Sequence, residues 1–277
     1  MTTTQRVTGR TVPGGGTAPL DYDRAAAFYD TTRHASPSLT GAMLDLLGAP
    51  AGRSLLEVGC GTGNYARAFA DVGFRVVGVD ITRGMLERAA RRIPGCVAVA
   101  AADRLPFPDH SVDCIVTVNV FHHFQDPLSV LREFYRVARG PVLHHLTAGE
   151  QYRAHWALQY FPLLDYEQPG EHAERWELEA LMREAGLVDV EAVRFDYTDD
   201  HDASFMPLRH VSPWRLCDES LRRGVSTFRR LTPAEDAAGE AALRADLRSG
   251  RFRRACGDYE RAWRIVGDST LLVGRVP

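Results

Sequence analysis

Residues 55–69 read LLEVGCGTGNYARAF, and this stretch decides the fold. Leu55 to Val58 has the pattern of a buried strand, and Asn64 to Val72 places Ala66, Phe69, Ala70 and Val72 at helical spacing. Between strand and helix stand Gly59, Gly61 and Gly63, where glycine permits a tight turn and lets a ligand approach the backbone. The loop reads as a nucleotide-type cradle. A dinucleotide fingerprint, GxGxxG, would need glycine at position 64, where this chain has Asn64. Glu57 lies two places before the first glycine. A pyrophosphate would avoid a carboxylate there, whereas a ligand carrying an ammonium group and a sulfonium would favour it.

Outward from this loop, short apolar runs alternate with amphipathic stretches, the pattern of βαβ units around a parallel sheet. Strands are expected at Arg75 to Val79, Val97 to Ala101, Cys114 to Val120, Pro141 to Leu146, Val188 to Tyr197 and Ser269 to Val276. Thr82 and Asp126 are N-cap candidates, the latter followed by Pro127 where a missing N–H is harmless, and Gly186 is a C-cap candidate. Six or seven strands make an open, doubly wound α/β sheet whose ligands bind at the carboxyl ends of the strands. Two interruptions stand out. One is the aromatic stretch YRAHWALQYFPLLDYEQPGEH, residues 152–172, and the other is a polar-faced helical region from Asp199 to Gly267.

Composition narrows the function. Of 277 residues, 45% are hydrophobic and 25% charged, which excludes a disordered chain. The mean hydropathy is −0.23. No run of about 18 apolar residues is present. The net charge of −3 gives no global basic field, so neither nucleic acid nor an anionic membrane is an expected partner. All 33 basic residues are arginine, spread along the chain. Five cysteines without a CxxC pair argue against a disulfide framework and against structural zinc, and no metal is expected. The first 20 residues, with TVPGGGTAP at 11–19, read as a flexible leader and not a signal peptide, so a cytoplasmic protein is expected.

Two further acids line up with Glu57. Asp80 ends the second strand, 17 residues after Gly63, where a carboxylate can accept from both hydroxyls of a ribose. Asp103 follows the third strand and can accept from an exocyclic amine such as that of adenine. Each alone is ordinary; three in register across consecutive strands are specific.

EVGCGTG, VVGVDITRGML, ADRLPFPDHSVDCIVTVNVFHHFQDP and LREFYRVAR together resemble class I S-adenosylmethionine-dependent methyltransferases, of the subgroup similar to the ubiquinone and menaquinone C-methyltransferases. The resemblance covers about residues 50–140. It implies a Rossmann-like, seven-stranded, mostly parallel sheet with helical lid insertions. It further implies S-adenosyl-L-methionine as cofactor, with S-adenosyl-L-homocysteine as product. Glu57, Gly59, Cys60, Gly61 and Gly63 would line the methionine end, Asp80 and Ile81 the ribose, Asp103 and Arg104 the adenine. Asn119 would face the amino-acid part. Two departures are visible: the family follows the fourth helix with a leucine, a lysine and a PGG turn where this chain has RVARGPVLHH, and it commonly has alanine where Arg104 stands.

On this resemblance residues 1–20 are a leader, 21–50 an N-terminal helical lid, and 51–146 the cofactor-binding core. Residues 147–175 form an aromatic insertion, 176–198 a core helix and strand, 199–267 a helical cap, and 268–277 the final strand. Methyl transfer by in-line displacement chiefly requires alignment, with a general base for a hydroxyl, amine or carbon-acid acceptor. Base candidates are His122, His123, His144 and His145, which follow or end strands on the cofactor side, and Tyr29, which with Tyr22 lies on the N-terminal segment. Trp156, Tyr160, Phe161 and Tyr166 would either wall an apolar pocket or form an ordinary hydrophobic cap. Arg251, Arg253 and Arg254 read as a solvated helix face. The expected partner is a small-molecule methyl acceptor of biosynthesis. The alternatives are a transfer RNA or protein methyltransferase and a protein that uses the cofactor to assist a non-methylating reaction such as cyclisation. The oligomeric state stays open, a homodimer being one alternative.

Overall fold

The computed structural model describes residues 34–165, 173–200 and 204–277. Its centre is an open sheet of seven strands: β1 (Ser54–Val58), β2 (Arg75–Asp80), β3 (Val97–Val99), β4 (Cys114–Val118), β5 (Pro141–Leu146), β6 (Val188–Phe195) and β7 (Ser269–Arg275). Their order is β3-β2-β1-β4-β5-β7-β6. Neighbours are parallel from β3 to β5, while β7 runs antiparallel to both β5 and β6. The mostly parallel, doubly wound sheet expected from the sequence is therefore the one observed.

Alternation along each strand sends side chains to two helical layers. On one face Leu55, Cys114, Val116 and Leu143 pack with α1 (Pro37–Leu47) and α2 (Asn64–Asp71) through Leu39, Met43, Ala66 and Phe69. The segment after β2 forms α3 (Arg83–Arg92), with Thr82 at its N-cap position. On the other face Leu56, Ile115 and Val142 pack with α4 (Pro127–Val137) through Leu131 and Phe134. Local signals start these helices. Ser36 accepts from the Leu39 amide at 3.1 Å ahead of Pro37, and Asp126 accepts from the Ser129 amide at 3.1 Å ahead of Pro127. Residues 37–47 of the expected N-terminal lid are thus packed on a sheet face. Residues 1–33, which include the leader, Tyr22 and Tyr29, lie outside the described residues.

Three strands stop two residues earlier than expected, each for a visible reason. β3 ends at Val99 because Ala101 to Arg104 turn back, with the Arg104 amide donating to the Ala101 carbonyl at 3.1 Å. β4 ends at Val118 because Asn119 adopts a left-handed φ of 53° and gives its amide to the His145 carbonyl at 2.9 Å. β6 ends at Phe195 because the Tyr197 amide turns to the Asp268 carboxylate at 2.9 Å.

After β5 come α5 (Gly149–Arg153) and short 3-10 turns to Asp165, and then α6 (Arg175–Glu184) returns to the sheet. After β6 come 3-10 turns, α7 (Glu219–Gly224), α8 (Pro233–Ser249), α9 (Phe252–Ala255) and α10 (Gly257–Val266). Thr232 and Glu235 form a reciprocal capping box at the start of α8. β5 and β6 both run antiparallel to β7, so both excursions leave from the carboxyl edge of the parallel strands. They fold together around one apolar cluster in which Trp156, Phe161 and Leu164 meet Phe205, Leu216, Phe228 and Leu243. Trp156, Tyr160 and Phe161 are buried in it, which makes them the core of a cap and not the wall of a pocket; Tyr166 lies outside the described residues.

Two mid-helix glycines should respond oppositely to alanine. A Cβ on Gly239 in α8 would lie 2.3 Å from a Phe161 ring atom and 2.7 Å from the Tyr160 carbonyl, so Gly239→Ala should destabilise by about 1–3 kcal/mol. A Cβ on Gly41 in α1 meets nothing within 4 Å, so Gly41→Ala should stabilise by about 0.5–1 kcal/mol. Denaturant melts of the two variants check both signs.

Candidate functional site

The carboxyl ends of β1, β2 and β3 carry the three acids foreseen from the sequence. Glu57 points to the α2 face and is buried. Its in-register strand neighbours are Gly78 and Val116, neither of which offers a cation. Its Oε2 has no hydrogen-bond partner among the described residues. Burial pushes the carboxyl up to about 8; a backbone hydrogen bond from Ala66 opposes the rise and the nearby Asp80 charge adds to it.

The loop after β1 is shaped by what cannot fit. Gly59, Gly61 and Gly63 all have left-handed φ, at 73°, 53° and 82°. A Cβ on Gly59 would lie 2.6 Å from Val120, and one on Gly63 would lie 3.0 Å from Ala89 of α3. A Cβ on Gly61 would meet none of the described residues within 4 Å, so that side of its backbone is open. Cys60 is buried against Gly78, where a Cβ would come within 2.8 Å of its sulfur. Burial first, then the charges of Glu57 and Asp80, push its thiol far up, so Cys60 is a packed neutral thiol and not a nucleophile.

Asp80 is tied into the loop through both carboxylate oxygens. Its Oδ2 accepts from the Gly61 amide at 2.9 Å and its Oδ1 from the Thr82 amide at 2.8 Å. A carboxylate has about four acceptor sites, so two remain for hydroxyls of a ribose. Beside it Ile81 is 73% exposed and Val99 on β3 is 51% exposed. These apolar surfaces at the edge suit the flat face of a base. Asp103 and Arg104 are both exposed in the turn after β3. Asn119 is exposed at the end of β4, with its amide tied to β5.

The histidines separate clearly. His122 and His123 are exposed in a short 3-10 turn after β4, their rings 4.0 Å apart. His144 and His145 are both buried, but adjacent strand residues face opposite ways. His144 lies among Phe121 and Phe134, its Nδ1 is 2.7 Å from the Thr117 hydroxyl, and burial lowers its pKa to about 3. It stays a neutral imidazole near neutrality and is a core histidine. His145 lies on the Glu57 face, its Nε2 3.1 Å from Ser269 Oγ and 3.3 Å from the Tyr197 hydroxyl. Tyr197 and Ser269 were not singled out by the sequence, although both lie at strand ends on the carboxyl edge, which is the signal that could have found them. Tyr197 packs against both the sheet core and the cap core, so its phenol stands at their seam.

Among the described residues no group of three or more His, Cys, Asp or Glu could hold a metal ion. Nor is any helix among them long and apolar enough to cross a membrane.

Residues 56–140 match the family model of the methyltransferase domain. This stretch is a methyltransferase domain. It runs from within β1 through β4 and includes every cofactor-side residue foreseen above. A demethylmenaquinone methyltransferase of Renibacterium salmoninarum is 35% identical over 98 residues, 35% of this chain and 41% of that relative. The chain spans less than half the length of the first curated relatives it matches. Among solved structures, a protein of Anabaena variabilis described as a methyltransferase from an antibiotic biosynthesis pathway superposes with a TM-score of 0.72. It is 24% identical, with 87% of this chain and 98% of that one covered. Phosphoethanolamine N-methyltransferase 2 of Haemonchus contortus, solved with S-adenosyl-L-methionine, gives 0.56 at 16% identity, covering 91% and 56%. At these identities the two structures speak to the fold alone, an open Rossmann-like sheet.

The Glu57 environment has a stability signature. Its carboxyl titrates at about 8 in the folded chain against an ordinary 4.5, so between these values the folded state binds more protons than the unfolded. Stability from this group is therefore lost as pH rises from 4.5 to 8 and is level above. Glu57→Gln removes the slope, so its melting temperature should gain on the native chain progressively between pH 5 and pH 8. A gain that does not change with pH would exclude a proton on Glu57.

Proposed function

We propose that this chain is an S-adenosyl-L-methionine-dependent methyltransferase acting on a small organic molecule. The observation that carries this reading is the row of Glu57, Asp80 and Asp103 at the ends of three adjacent parallel strands, around a glycine loop open at Gly61, inside a methyltransferase domain. When bound, the cofactor supplies a methyl carbon on a cationic sulfur. The residues present fit it: Glu57 with its orphaned oxygen suits the cationic methionine end, Asp80 the ribose, and Asp103 with exposed Ile81 and Val99 the adenine. Arg104 follows Asp103 in the same exposed turn. Asn119, its backbone pinned by β5, faces the amino-acid part.

Two observations favour a small acceptor. The two excursions leave from the same edge as the cofactor-side residues and share one apolar core, which makes a cap at that edge. The chain also lacks the net positive charge that a nucleic-acid substrate calls for. If the acceptor must lose a proton, His145 with Tyr197 is the base we assign. The pair joins a buried imidazole to a phenol at the seam of cap and sheet, on the same face as Glu57. His122 and His123, at the exposed end of β4, would line the entrance.

Calorimetry with S-adenosyl-L-methionine tests the cofactor. Asp80→Ala removes the ribose acceptors and the tie on Gly61 together, and should weaken binding by about 1–3 kcal/mol or more. Micromolar binding of NAD, or undiminished affinity in Asp80→Ala, would sink the assignment. Screening small molecules, transfer RNA and peptides with a labelled methyl donor identifies the acceptor class. With that acceptor, His145→Ala should lower turnover by about 10² to 10⁴ at unchanged cofactor affinity. His144→Ala should instead lower the melting temperature.

A further inference from the structure

We propose that Glu57 keeps a proton in the ligand-free cradle and releases it to solvent when the α-ammonium group of the cofactor arrives, so that Glu57 selects for ligands bearing that cation. The inference rests on the reading that S-adenosylmethionine or its demethylated product occupies the cradle.

Among the described residues, the geometry leaves Glu57 no cation of its own. From β2 it faces Asp80, a second carboxylate, and from the loop the neutral thiol of Cys60. The flanking strand positions are Gly78 and Val116. α2 offers a backbone amide at Ala66, while its arginine, Arg67, pairs with Asp71 at 2.7 Å on the exposed side. On α3, Arg92 donates to the Thr62 carbonyl at 2.8 Å. A buried carboxylate with one oxygen unpartnered and another carboxylate as neighbour is stable when protonated, and its titration near 8 agrees with this. An ammonium group within about 4–6 Å reverses the preference. The exchange balances simply: the carboxylic O–H breaks, the proton passes to buffer, and the carboxylate left behind faces an ammonium that keeps its three protons.

Titration calorimetry of the full chain at pH 6.5, in buffers of different ionisation enthalpy, reads the proton directly. At that pH an α-amino group, with an ordinary pKa of about 7.7–8.0, is already cationic. S-adenosylmethionine and S-adenosylhomocysteine should each release about one proton, and their dissociation constants should fall nearly tenfold from pH 6.0 to 7.0. Methylthioadenosine, which keeps the adenosine thioether but lacks the ammonium, should release almost none. Glu57→Gln should bind the first two without proton release, and should lose most of the preference for homocysteine ligand over methylthioadenosine.

Binding of S-adenosylhomocysteine whose enthalpy does not depend on buffer overturns the inference and leaves the cofactor reading intact. Equal release with methylthioadenosine overturns the ammonium as trigger. Failure of both S-adenosyl ligands to bind overturns the cofactor reading itself, and this inference with it. The arms on the native chain decide the matter even if Glu57→Gln does not fold.

Discussion

The carboxylate of Asp80 is the fixed point of the site. It is the last residue of β2, and its two oxygens take the amides of Gly61 in the loop after β1 and of Thr82 at the start of α3. One side chain thereby sets the path of the first crossover and the entry to the second. The left-handed turns at Gly59, Gly61 and Gly63 are affordable because glycine has no Cβ, but nothing about glycine says which of its many conformations to keep. The Asp80 carboxylate, by accepting from the two amides, makes that choice. The same dependence means that Asp80 variants report on loop shape as well as on the ligand contact proposed for it.

A second fixed point joins the cap to the sheet. Asp268, fully buried just before β7, accepts from the Tyr197 amide at 2.9 Å, from the Trp263 indole at 2.7 Å, and lies 2.6 Å from His210 Nε2. Arg209 lies over the Trp263 ring, 4.8 Å from its centroid, and donates to the Ala154 carbonyl. Gln151 adds a bridge from α5 to β7, accepting from the Thr270 hydroxyl at 3.0 Å and donating to the Val266 carbonyl at 3.0 Å. The cap is apolar within and is tied to the sheet by polar groups. Buried polar ties are directional, so they fix where the cap sits in a way that apolar contact alone would not.

What the sequence made legible follows from the range of the interactions. The strands and helices of residues 50–146 depend on period, caps and glycine positions, all local, and they were readable to within one or two residues. The acids at strand ends were readable because parallel strands place their carboxyl ends on one edge. The misreadings lie where a distant partner decides. Tyr197 leaves its strand for Asp268, 71 residues away, and Asn119 turns toward the β5 backbone. The aromatic stretch around Trp156 was readable as apolar, but its burial depends on helices more than 60 residues downstream, so pocket wall and cap core could not be told apart. The PGG departure has a structural counterpart: a Cβ at Gly140 would come within 2.9 Å of the Asp113 carbonyl, so the turn into β5 runs tightly against the start of β4.

The pair His144 and His145 shows how one rule, strand alternation, divides chemistry from packing. The register sets Thr117 beside His144 and Val118 beside His145. One face of β5 thus places an imidazole between aromatic rings with a hydroxyl on Nδ1, where desolvation removes any basicity useful at neutral pH. The other face holds His145 among Ser269, Tyr197 and Phe195, with hydroxyl oxygens at its Nε2. It is also the face of Glu57, so the buried acid and the hydroxyl-bonded imidazole lie on one side of the sheet at its carboxyl edge, with β4 between them. A one-residue slip of β5 would exchange the two histidines and lose both environments at once. Register is held against such a slip from both sides, by the parallel ladder to β4 and by the six antiparallel pairs from Pro141↔Arg275 to Leu146↔Thr270. β7 therefore acts twice on this pair: its first residue, Ser269, meets His145 Nε2, and its ladder fixes which histidine of the pair meets Tyr197.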